Sequence, residues 1–114
     1  MLDEEQFQTL LVLGFLFRRL GLYEKAARLY RVLIAMRPDD GSVLSPAAAS
    51  ALDEGRPEEA LEFLDRFDDG WPGQAGPVNY LIRAKALAAL GKNLEASAAI
   101  SEYLKGLALL DGQP

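Results

Sequence analysis

The side chains here with the most chemical potential are clustered carboxylates, at Asp3-Glu4-Glu5, Asp39-Asp40, Glu58-Glu59 and Asp68-Asp69. Two neighbouring carboxyl groups can divide the roles of general acid and general base when their surroundings push their pKa values apart. These pairs adjoin expected helix starts and turns, where capping and solvation account for them. No activated nucleophile or phosphate-cradling glycine loop accompanies them. The 114 residues include no histidine and no cysteine. That removes the side chain that most readily exchanges protons near neutral pH, along with thiol nucleophiles, disulfides and the usual zinc ligands. The expectation is a protein that is not an enzyme and needs neither cofactor nor metal. The net charge of −5 repels phosphate backbones, so nucleic acid is not expected as a partner.

Half of the residues are apolar and a quarter are charged, a mixture that folds rather than stays disordered. The length suits one domain spanning 1–114. The apolar stretch Leu10 to Phe17 is about eight residues, too short to span a bilayer, and it follows acidic residues where an export signal carries positive charge. A cytoplasmic location without membrane insertion is expected.

An internal repeat organises the chain. Gly21, Gly55 and Gly91 lie 34 and 36 residues apart. Each is followed five residues later by an alanine (Ala26, Ala60, Ala96), and four residues further by a large apolar residue (Tyr30, Leu64, Ile100). Pro38 and Pro72 close the first two units. A period of this length marks stacked helical hairpins: glycine ends the first helix with a positive φ, alanine lets the paired helices approach, and proline ends the second helix.

The spacing predicts six helices. The first runs over 4–20 behind an Asp3 cap, and the second over 22–36. The third starts at Ser45-Pro46 and stops before Gly55, and the fourth runs from Pro57 to Phe67. A turn-rich loop over 68–76 precedes the fifth, which Pro77 opens, and the sixth follows an Asn93 cap and runs to Leu110. Residues 111–114 are expected to fray. Trp71 is expected to plug the gap between the second and third units, with a partner anchor as the alternative.

The first unit, with Leu13-Gly14, Phe17, Gly21, Tyr23, Ala26, Tyr30 and Pro38 in order, resembles a tetratricopeptide repeat (TPR); the units at 41–76 and 77–110 resemble degenerate copies of the one at 7–40. The resemblance implies an all-α fold, three tandem hairpins in a short right-handed solenoid. It also implies a partner-binding concave groove lined by the first helix of each unit: Gln8, Leu11, Phe15, Arg18 and Arg19; Ser42, Ser45, Ala49, Leu52 and Asp53; Val78, Leu81, Lys85, Ala88 and Ala89. Such a wall is apolar with a basic rim at Arg18, Arg19 and Lys85, suited to an amphipathic helix or an extended apolar segment. The competing readings place Leu11 and Phe15 in the core and the arginines on a solvated face. The asparagines with which some TPR domains clamp a chaperone's terminal carboxylate are replaced by Leu11, Phe15, Ser45 and Ala49. The apolar end Leu107-Ala108-Leu109-Leu110 is expected either to be covered by a partner or to collapse on its own hairpin, since solenoids need polar ends for solubility.

Across its whole length the chain is also similar to the YscY-type cytosolic chaperones of bacterial type III secretion. The segments that carry this are Leu13-Gly14-Phe15-Leu16, Ala84-Lys85-Ala86-Leu87 before Gly91, and Tyr103-Leu104 followed by a short tail. That resemblance implies a chaperone that sequesters a small secreted YscX-type protein in its groove and delivers it to the export gate; without a client, a homodimer is open to the chain. Alternatives are a needle-subunit chaperone, a translocator chaperone, or a TPR adaptor or oligomerisation module outside secretion.

Overall fold

In the computed structural model, which describes residues 2–112, the protein is all-helical, with no strand among those residues. The six helices are α1 (Glu4–Arg19), α2 (Tyr23–Met36), α3 (Gly41–Asp53), α4 (Pro57–Gly70), α5 (Pro77–Ala89) and α6 (Asn93–Leu110). Gln113 and Pro114, at the end of the expected frayed tail, lie outside the described residues.

Local chemistry explains most boundaries. Asp3 and Gln6 form a reciprocal capping box: Asp3 Oδ1 accepts from the Gln6 amide at 2.8 Å and Gln6 Oε1 from the Asp3 amide at 3.0 Å. Two of the amides that a helix start leaves free are thereby paired. Gly21, Gly55 and Gly91 have φ of 75°, 74° and 77°, and each makes the same turn. The residue after the glycine donates to the carbonyl five positions back, Leu22 to Phe17 (2.8 Å), Arg56 to Ala51 (2.9 Å) and Lys92 to Leu87 (2.9 Å). This left-handed cap closes a helix and reverses the chain at once. Pro57 and Pro77 stand at the first residues of α4 and α5, where a missing amide costs nothing.

Three expected boundaries are corrected. α3 begins at Gly41 rather than at Ser45-Pro46, and Pro46 sits inside it. Asp40 caps it, its Oδ1 accepting from the Ser42 amide (2.9 Å) and hydroxyl (2.6 Å). The extra turn buries Val43 and Leu44 completely, a gain of about 1.5–3 kcal/mol for each side chain that outweighs the hydrogen bond proline forfeits so near the start. α4 runs through Asp68 and Asp69 to Gly70, so the loop before α5 is shorter than expected. Asn93 is the first residue of α6; Lys92 holds the cap position and makes no side-chain cap bond.

Every helix packs on its neighbour in the chain, and α3 also touches both α1 and α5. The result is 43 × 31 × 27 Å in extent. Phe7, Tyr30, Leu33, Leu44, Phe63, Leu64 and Ile82 belong to one buried cluster reaching from α1 to α5. Ala84, Leu87, Ala96 and Ala99 form a smaller one between α5 and α6, and Leu61 packs against both. Gly14 is buried where α1 crosses α2: a Cβ there would stand 2.7 Å from the Tyr30 ring, so this close approach requires glycine.

Candidate binding groove

The face formed by α1, α3 and α5 is built on the contacts of α3 with both other helices. Arg18 and Asp53, 35 residues apart in the chain, meet across it, Arg18 Nε lying 2.6 Å from Asp53 Oδ2. Both side chains are about three-quarters shielded from solvent (27% and 24% exposed), so the ion pair joins α1 to α3 and uses up Arg18. The expected basic rim is thereby reduced to Arg19 and Lys85, which have no ion-pair partner among the described residues. The Arg19 guanidinium lies 5.8 Å from the centre of the Phe15 ring, within range of a cation–π attraction.

The remaining candidates divide by depth. Phe15 is 49% and Val78 63% exposed, and Gln8, Lys85, Ala88 and Ala89 are exposed with them. Leu11 and Leu52 are half-buried against the main cluster, and Leu81 is half-buried as well. Ala49 is buried within the main cluster and supplies close packing rather than open wall. Ser42 is engaged in the Asp40 cap and Ser45 is half-buried. Gln8 donates to Glu4 Oε1 at 2.9 Å. The Glu4 carboxyl is held below its usual pKa, first by the hydrogen bond from Arg37 and then by that from Gln8.

Beneath the face, burial raises the pKa of the Tyr30 hydroxyl, which the nearby Arg18 opposes and Asp53 supports. Trp71 does not plug the second and third units. Its Nε1 donates to the Asp39 carbonyl at 3.1 Å, which ties the end of α4 to the turn before α3; that hydrogen bond is visible only in three dimensions.

Sequence reasoning missed a run of exposed apolar side chains along α1 and its C-cap. Val12, Leu13, Leu16 and Leu20 are all exposed there. Their repeat equivalents in α5 and at its C-cap are Ile82, Arg83, Ala86 and Leu90, none of them exposed. A position-by-position comparison of the repeats would have found the stripe. On α6, Ile100, Leu104, Leu107, Leu109 and Leu110 are likewise exposed, so the expected collapse of the last turn onto its own hairpin does not occur. Among the described residues no helix is long and apolar enough to cross a membrane, and no group of three or more acidic side chains is placed to hold a metal ion. No protein-family model matches the chain, and no curated protein matches it either.

Proposed function

We propose that the chain is a three-hairpin TPR-type solenoid acting as a cytoplasmic chaperone of a bacterial type III secretion system. In this reading it holds a small secreted protein of the YscX type on the α1-α3-α5 face, prevents its aggregation and passes it to the export gate. The observation that carries the proposal is the contact of α3 with both α1 and α5, the first helices of the other two hairpins, together with the exposure of Phe15 on α1 and Val78 on α5 and the half-burial of Leu11, Leu52 and Leu81. The repeated glycine turns at Gly21, Gly55 and Gly91 support the solenoid. A client helix laid on this face would gain about 25 cal/mol per Å² of apolar surface covered, less the cost of ordering it.

Co-expression with a YscX-type client tests the reading. The client is expected to be soluble with the chaperone and to be insoluble or degraded without it. Phe15→Asp should abolish co-purification while circular dichroism stays unchanged, because the ring is half-exposed and its removal leaves the core intact. A client equally soluble alone would move the chain to the class of structural adaptors, and loss of helicity in Phe15→Asp would assign that ring to the core.

A further inference from the structure

The exposed stripes on α1 and α6 are the two unmatched halves of a junction that the molecule already makes twice. Shifting by the repeat, Leu16 corresponds to Ser50 and Ala86, and Ile100 to Tyr30 and Leu64. The internal residues are at most 2% exposed, whereas Leu16 is 47% and Ile100 38% exposed. At the α2–α3 junction Tyr30, Ile34, Ala47 and Ser50 line one small space, with Glu59 and Phe63 of α4 beside them.

The chemistry of the halves also matches. One position on the second helix of a hairpin is Ile34, Asp68 or Leu104; the opposing position on the following first helix is Ala47, Arg83 or, returning to α1, Leu13. At the α4–α5 junction this is an ion pair, Arg83 lying 3.0 Å from Asp68. At the α2–α3 junction it is apolar on both sides. The two free ends again agree with each other, leucine with leucine. An unpaired charge against an apolar face would be rejected at any of the three.

We propose that the chain associates head to tail with a second copy of itself, α6 of one copy receiving α1 of the next as α2 receives α3 and α4 receives α5. The interface is heterologous, so it propagates or closes into a ring. Ile100 and Leu16 are both large, whereas the internal junctions set a large residue against a small one. The joint between copies is therefore wider than the internal ones, and the association is reversible and concentration-dependent. It does not rest on the chaperone reading.

Sedimentation velocity over a range of concentrations tests it. The wild-type mass is expected to rise above the 12.5 kDa of one chain. Leu16→Glu and Leu104→Glu each block one end and should each stay monomeric. An equimolar mixture of the two should form a dimer and nothing larger, because only one intact pair of ends remains. Circular dichroism of each variant confirms that it is folded. A chain carrying both Leu13→Arg and Leu104→Asp, which copies the Arg83–Asp68 pair onto the free ends, should associate again and be weakened by salt; this variant keeps the test decisive should either glutamate substitution unfold the chain. A wild type that stays at one chain mass, dissociation by only one of the two glutamate substitutions, or a mixture that stays monomeric would each overturn the proposal. Dissociation by one substitution alone is the signature of a symmetric contact through that end.

Discussion

α3 and α6 are both rich in alanine and leucine, yet eight of the 13 residues of α3 are buried, whereas of the 18 residues of α6 only Ala96 and Ala99 are. α3 lies among α1, α2, α4 and α5, while α6 packs on α5 alone. Burial follows from a helix's place among its neighbours as much as from residue type. A helix between two hairpins is held by tertiary packing, and one at an end depends more on its own length and propensity.

The largest expected effect sharpens that contrast at a single repeat position. Leu64→Ala in the closed middle should cost about 2–5 kcal/mol, since it removes a buried side chain and leaves a cavity. Ile100→Ala at the equivalent site on α6 should cost less than about 1 kcal/mol. Urea unfolding followed by circular dichroism, at a concentration where the chain is monomeric, measures both. Equal losses would break the comparison, because they would mean that α6 is covered in solution by something other than another copy.

A smaller effect is expected where α1 crosses α2. In Gly14→Ala the added methyl group meets the Tyr30 ring, which is buried and belongs with Leu33, Leu44 and Ala26 to the main cluster. Overpacking of this kind costs about 1–3 kcal/mol. In a Tyr30→Leu background the same substitution should cost less, because the ring it strikes is gone, and the shortfall from additivity measures their contact. Full additivity would show that α1 is free to shift and that the first hairpin is as loosely held as the last.

The parts of this architecture legible in the sequence were those fixed by backbone chemistry. Gly21, Gly55 and Gly91 announce left-handed turns because other residues are strained there, and Pro57 and Pro77 announce helix starts because proline fits only the first turn without loss. Pro46 misled for the same reason: read locally it opens a helix, but burial of Val43 and Leu44 extends α3 four residues before Ser45. The candidate face was legible in its helices and less so in its charges. Arg18 reads as a free cation until Asp53, one repeat later, is brought against it. The stripe Val12, Leu13, Leu16 and Leu20 was in plain view, yet the amphipathic pattern of α1 cannot tell which apolar side chains a neighbour covers when they occupy more than one face.

The smallest expected effect concerns a polar atom in the closed middle. Ser50 is 1% exposed and its hydroxyl has no hydrogen-bond partner among the described residues. A buried hydroxyl that makes no bond has lost its water without compensation. The repeat equivalent in α5 is Ala86, fully buried in the same cluster, so alanine already fits a junction of this kind. Ser50→Ala is expected to leave stability unchanged or raise it by up to about 1 kcal/mol, read as an unchanged or higher urea midpoint with the same slope. A loss of more than about 1 kcal/mol would show that the hydroxyl is paired in solution. The space it shares with Tyr30, Arg31 and Glu59 would then hold an ordered water, and the middle of the helical fold would be less dry than its burial implies.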